Sequence, residues 1–328
     1  MLNELTRRDA MRVAGKGVMS ALALYGLDTS TLYGQEPGGK KFILNVGALD
    51  CTRRVQLISP DLSAEWWYLA PENVCSEKGM LIIDNFDVQW SGPDSEGVLE
   101  HSWATNEAYL NVMRSRYKFV DDEGSIRYRV RLTPRANGVD IDFRIRNTGK
   151  STLENVTADF CLINHGYPVY PFLNRKVFTK SLEDRWGGRS FLDTDSHRTW
   201  VHAGGRLVQA SSMRAQQPWK WMVKGAIVPQ PLLAFYRAET AIDDRVDKSV
   251  ICRSSVSRDW SVVYGWQRGF LVWQNPSLQC IHVDPEFGSI PAGEEASNHG
   301  SMRLFNAPPQ EACEMFSDDL FAERSFRR

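Results

Sequence analysis

The chain has 328 residues, of which 42% are hydrophobic and 24% charged, an ordinary globular composition. Thirty-nine Lys and Arg stand against 40 Asp and Glu, for a net charge of −1. No long basic block stands out, so there is no electrostatic case for a nucleic-acid or anionic-lipid partner. No apolar run reaches the roughly 18 residues of a spanning helix, so no membrane span beyond a signal segment is expected.

The N-terminus reads as a leader over residues 1–35. Thr6-Arg7-Arg8-Asp9-Ala10-Met11-Arg12 resembles a twin-arginine export signal. Basic residues precede an apolar stretch from Val13 to Leu27, and a polar, Gly-rich segment follows. That order (charged, apolar, polar) is the order of an export signal. It predicts a protein exported already folded, to the periplasm or the outside. If the leader is instead an amphipathic helix, the protein is cytoplasmic.

Residues 36–328 read as one all-β domain, a large antiparallel β-sandwich closed by a short C-terminal helix. Early strands are expected at Phe42–Val46, Val55–Ile58, Glu65–Leu69 and Met80–Val88. The clearest signal comes next. Ile126, Tyr128, Val130 and Leu132 alternate with Arg127, Arg129 and Arg131. Val139, Ile141, Phe143 and Ile145 alternate with Asp140, Asp142, Arg144 and Arg146. Period-2 alternation puts the apolar set on a core face and the charges on the other. Asn137-Gly138 supplies the turn, and the arginine and aspartate rows are expected to pair across the strands. Val156–Ile163 is a further strand. Later strands are expected at Thr199–His202, Trp219–Val223, Leu232–Tyr236, Trp260–Gly265, Phe270–Gln274, Gln279–Val283 and Gly300–Phe305. Turn signals every 8–12 residues fit a sandwich. Gln310–Arg324 reads as a helix entered from Pro308-Pro309, its stripe of Ala312, Phe316, Leu320 and Phe321 capping the sandwich.

Several segments can carry chemistry. Asn164-His165-Gly166-Tyr167 ends a strand, where a rigid sheet positions a polar pair, and His165 suits acid–base work near pH 7. On a strand, Cys280, His282 and Asp284 share one face while Ile281 and Val283 share the other. The first face is then a polar row or a site, with Glu286 beside it. Glu65-Trp66-Trp67-Tyr68 and Trp219-Lys220-Trp221 are dense in rings that stack on sugar faces, or else fill the core. His101 and Glu65 lie on early strands that could line the same cleft.

No metal ligand set is assigned. Asp193, Asp195 and His197 alternate with oxygen-rich spacing that could bind Ca²⁺, but the remaining ligands of such a loop are missing. Six cysteines permit disulfides without requiring them, and none forms Cys-x-x-Cys. Cys161 and Cys280 read as small buried hydrophobes. Serine-elbow, zinc-protease, P-loop and Rossmann motifs do not occur.

The Asn164-His165-Gly166-Tyr167 segment resembles the Asn-His-x-Tyr segment of aldose epimerases. The Cys280–Pro285 strand, the Pro-x-Gly-Glu turn after it and the strand Ser301–Phe305 resemble the closing strands of galactose mutarotase-like supersandwiches. The resemblance runs from Arg114 to Phe305. It implies a carbohydrate partner, with His165 as acid and Asp284 as base; the family uses glutamate at the base position, and Glu286 is a nearby rival. Asn164, His282, His101, Glu65, Trp66, Trp219 and Trp221 would contact the sugar. Epimerase, lyase and hydrolase stay open, as does a non-catalytic carbohydrate-binding sandwich. Catalysis requires His165 and a carboxylate to converge on one cleft.

Overall fold

The period-2 segments form strands that stack as two nine-stranded sheets. The computed structural model describes residues 40–46, 54–60, 62, 64–83, 90–106, 126–164, 191, 197–213, 219–227, 229–231, 245–275 and 279–322, with backbone alone at 54, 64, 65, 69, 70, 82, 219, 321 and 322. The leader, the expected strand Leu232–Tyr236, His165 and Asp193–Asp195 lie outside these residues. The described residues belong to one compact unit, Gly39–Arg328.

In chain order the strands are β1 (Ile43–Val46), β2 (Arg54–Ser59), β3 (Ala64–Ser76), β4 (Gly79–Ile82), β5 (Trp90–Ser91) and β6 (Leu99–Ala104). The central hairpin and its successor are β7 (Ile126–Arg135), β8 (Gly138–Asn147) and β9 (Leu153–Asn164). Then come β10 (Thr199–Ala203), β11 (Arg206–Gln209), β12 (Trp219–Val223), β13 (Arg245–Val246) and β14 (Val250–Ser254). The last are β15 (Ser261–Trp266), β16 (Gly269–Asn275), β17 (Cys280–Ile290) and β18 (Glu295–Phe305), followed by helix α1 (Pro309–Ala322). The first sheet runs β1-β2-β3-β9-β17-β16-β12-β13, with β4 also on β3; the second runs β11-β10-β14-β15-β18-β8-β7-β6-β5. Every pairing is antiparallel except β12 with β13.

The core lies between the sheets. From β7 and β8 it takes Tyr128, Val130, Leu132, Ile141, Phe143 and Ile145, while Arg127, Arg129 and Arg131 are exposed. From the first sheet it takes Trp66, Tyr68, Phe160, Leu162, Trp221, Ile281 and Val283. Phe143 meets Phe160 edge-on at 4.9 Å across the gap, and Trp266 packs on Phe160 at the same spacing. Edge-to-face rings add to the burial itself.

The charged rows pair in part as the alternation suggests: Arg131 stands opposite Asp142, and Arg135 of β7 bonds Asp140 of β8. The β7–β8 register sets Arg129 opposite Arg144 and Arg127 opposite Arg146. Like charges repel there, and the side chains turn outward along the sheet instead: Arg129 bonds Glu100 on β6, and Arg144 pairs with Glu295 on β18. Asp140 is held by Arg135 and Arg303, and Arg303 also reaches Asp319 on α1. The helix lays Ala312, Cys313, Phe316 and Leu320 on Val250, Cys252 and Val263, on the side of the second sheet away from the main core.

Candidate functional site

Strand alternation decides which side chains can form a site. Ile281 and Val283 enter the core, so Cys280, His282 and Asp284 face the outer side of the first sheet. On β9, Phe160 and Leu162 enter the core, so Asp159 and Cys161 share that outer side. The antiparallel register sets His282 opposite Cys161 on one flank and Trp273 of β16 on the other. Trp273 in turn sits opposite Lys220 of β12. Residues distant in sequence thus form a single patch.

The patch is polar and buried: His282 and Cys280 are 1% exposed, Asp284 0% and Asp159 5%. Buried polar groups must find partners. His282 Nδ1 bonds Asp159 Oδ1 at 3.1 Å, and its Nε2 lies 3.1 Å from Cys280 Sγ. Asp159 Oδ2 accepts from Asn73 Nδ2 at 3.3 Å. Asp284 accepts from the Trp273 indole N–H at 3.0 Å and from the Phe160 backbone N–H at 3.5 Å. The Trp273 ring stacks on the His282 ring, centroids 3.5 Å apart and planes 18° from parallel. Lys220 Nζ stands 5.1 Å above the Trp273 ring. Trp67, buried and one strand beyond β9, has an indole N–H with no acceptor among the described residues.

The electrostatics follow from burial and neighbours. Burial, then the charge of Asp159, hold Asp284 well above the usual carboxylate range. Burial opposes a charged His282, but Cys280 and Asp159 outweigh it and raise the imidazole well above its ordinary value. Burial would raise the Cys280 thiol, yet the Cys161 hydrogen bond and His282 bring it down to about 5. Burial lowers Lys220, against the pull of Asp284 and Asp159.

The residues singled out in the sequence fall in different places. Asp284 and His282 are in the patch, and Glu286 is half-buried two residues further along β17, raised by burial against the pull of Arg268. Asn164 ends β9 with its side chain turned away from the patch. It accepts from Trp66 Nε1 at 3.1 Å and donates to the Gln279 carbonyl at 2.7 Å. Asn164 lies five residues along β9 from Asp159, about 17 Å of strand. Trp66 and Trp221 lie in the core, fully buried. His101 lies on the second sheet, bonded to the Tyr128 hydroxyl at 2.8 Å and packed on Trp90. Glu65 and Trp219 are placed by backbone alone. Asp159, Asn73, Cys161 and Trp273 carry no local motif. Only the strand register, which the sequence does not spell out, brings them to His282.

Scanning the sequence against family models gave no match, and neither did searching curated proteins. Solved structures do overlap it. A galactose mutarotase-related enzyme from Lactobacillus acidophilus is 11% identical, covering 84% of this chain and 97% of its own, with a TM-score of 0.41. A galactose mutarotase-like protein from Lactobacillus casei is 10% identical over 82% of this chain and 100% of its own, with a TM-score of 0.43. An α-N-acetylgalactosaminidase from Bifidobacterium bifidum is 9% identical over 84% of this chain and 38% of its own, with a TM-score of 0.42. Overlaps this loose carry no functional assignment.

Proposed function

We propose that the protein acts on a carbohydrate by acid–base chemistry at the outer face of the first sheet, with Asp284 as the acid. The observation that supports this reading is the juxtaposition of two buried carboxyls, Asp284 and Asp159, in unlike surroundings. Two buried carboxyls side by side do not both ionise. Asp159 takes the charge, because His282 and Asn73 bond its oxygens. Asp284 keeps the proton. One fold thus holds an acid and a base next to each other at neutral pH, their roles set by environment. The Trp67 indole N–H, without an acceptor among the described residues, supplies a donor of the kind that holds a polyhydroxylated ligand.

The substrate class rests on the resemblance of the Asn164–Tyr167 segment to aldose epimerases, and of the strands Cys280–Pro285 and Ser301–Phe305 to the closing strands of mutarotase-like supersandwiches. His165, which follows β9 directly, and Glu286 are further candidates for the proton transfers. At 0–1% exposure, substrate entry requires displacement of whatever packs on this face. The twin-arginine-like segment Thr6–Arg12 supports work outside the cytoplasm. Replacing Arg7-Arg8 by Lys-Lys should then retain the protein in the cytoplasm on fractionation, and unchanged export would remove that placement.

A panel of monosaccharides and oligosaccharides, read by thermal shift and by product formation, tests the reading. Turnover lost in Asp284→Asn with binding retained is the expected result. Turnover untouched by Asp284→Asn would overturn the assignment. Binding without turnover in the wild type would favour a carbohydrate-binding sandwich that uses the same face.

A further inference from the structure

The geometry points to a zinc-type metal site formed by Cys161, Cys280 and His282 on the outer face of the first sheet. Cys161 comes from β9 and the other two from β17, and their sulfur and nitrogen ligand atoms all lie within 4.8 Å of one another. Tetrahedral zinc, with bonds of about 2.3 Å to sulfur and 2.0–2.1 Å to nitrogen, sets ligand atoms about 3.5–3.8 Å apart. The 3.1 Å from His282 Nε2 to Cys280 Sγ then opens by about 0.4 Å, a shift that strand side chains absorb.

The surroundings of His282 are those of a metal-bound imidazole. Asp159 accepts from Nδ1 at 3.1 Å, and this directs the lone pair of Nε2 toward the two sulfurs. Ligating histidines are held in this way by a carboxylate behind the ring. Asn73 fixes that carboxylate in turn, and Trp273 fixes the plane of the imidazole. Two thiolates and an imidazole select zinc or another soft divalent ion over calcium or magnesium. Three protein ligands leave a fourth position free. A second grouping, Glu72, Asp159 and His282, shares the same imidazole. It competes for Nδ1, which Asp159 already occupies, so the thiolate side is the better site.

This site stands independently of any action on sugars, and its test reads metal, not turnover. The full chain, purified under reducing conditions with zinc supplied, should hold one zinc per chain by elemental analysis. Cys161→Ser and Cys280→Ser should each lose it, while Cys75→Ser, a buried cysteine on β3, should keep it. Asp159→Asn should weaken zinc binding about 10–100-fold, as loss of a partner behind a ligand does. Cobalt added to the wild-type protein should give a near-ultraviolet thiolate charge-transfer band with tetrahedral visible bands. That spectrum decides the matter alone if the serine variants fail to fold. Cobalt bound without a thiolate band, zinc retained by both serine variants, or a Cys161–Cys280 disulfide in the reduced preparation would each overturn the site.

Discussion

His282 Nδ1 donates to Asp159 Oδ1 at 3.1 Å, across the β17–β9 pair and across 123 residues of sequence. Both side chains are buried, so each satisfies the other. Asp159→Asn replaces a charged acceptor by an amide and leaves His282 without its carboxylate. Loss of such a buried, charge-assisted bond costs about 1–3 kcal/mol. Urea unfolding, with a chelator present so that metal makes no contribution, should show a lower midpoint at unchanged slope. An unchanged midpoint would mean that the pair contributes nothing to the fold.

Asp284 predicts the opposite. Its carboxyl sits beside Asp159 and is raised by burial and by that charge, so any ionised Asp284 is unfavourable in the folded state. Asparagine keeps an oxygen for the Trp273 N–H and, like the protonated carboxyl, sets no charge beside Asp159. Asp284→Asn should therefore melt at or above the wild-type temperature while turnover falls at least about 100-fold, the usual worth of a positioned acid. A variant that lost both stability and turnover would make Asp284 a structural residue.

Much of the sandwich was legible in the sequence, because period-2 alternation is a local property. The arginines of β7 and the isoleucines of β8 declare which face is buried before any partner strand is known. β17 was equally plain, with Ile281 and Val283 inward and His282 and Asp284 outward. The site was less so. Asp159 and Cys161 sit in an almost wholly buried strand, where polar and apolar residues all lack exposure and no alternation separates the faces. The absence of Cys-x-x-Cys argued against thiolate ligation, yet Cys161 and Cys280 come together because β9 and β17 pair antiparallel. Register is a long-range property, and single-strand patterns do not encode it.

Asn164 illustrates the same point. Beside His165 it reads as half of a polar site, but its amide joins Trp66 to the Gln279 carbonyl. Asn164→Ala removes two buried hydrogen bonds, the one accepted from the Trp66 indole and the one donated to the Gln279 carbonyl, which keeps the backbone N–H of residue 164 and Arg253 Nη1 as donors. Each is worth about 0.5–1.5 kcal/mol. Calorimetry should register that loss as a lower melting temperature. If Asn164→Ala instead melts normally and loses only saccharide binding, the side chain serves a ligand.

Asp140 contributes to the acid limb of stability. Burial raises its carboxyl, but Arg303 and then Arg135 pull it down, and it ends below the usual carboxylate range. A depressed folded value contributes stability above the unfolded value, near 3.9, and that contribution is lost as pH falls through the folded value. The wild-type protein should thus lose stability below about pH 4, where Asp140 takes up its proton. Asp140→Asn should be less stable by about 1.5–3 kcal/mol at pH 7, since it removes charge-assisted bonds to Arg303 and Arg135 while Asp319 still holds Arg303, and should show a shallower decline in acid. Equal slopes in both proteins, from unfolding at several pH values, would remove Asp140 from the acid response.

Gly138 looks in sequence like the turn glycine of an Asn-Gly hairpin, needed for positive φ. The structure gives a different reason. Gly138 is not among the positive-φ glycines; it begins β8 opposite Arg303 of β18. A Cβ there would lie 1.9 Å from the Met302 carbonyl oxygen and 2.9 Å from the Arg303 Cα. Both obstacles are backbone, so no side chain can rotate away, and the β8–β18 pairing itself must part. Overpacking of this kind costs about 1–3 kcal/mol where side chains yield, and more where they cannot. Gly138→Ala should exceed that range and unfold the second sheet first, as loss of amide exchange protection in β8 and β18 ahead of β9 and β17. Near-wild-type stability in Gly138→Ala would show that the strands separate easily, and that the turn, not the close approach, selects glycine.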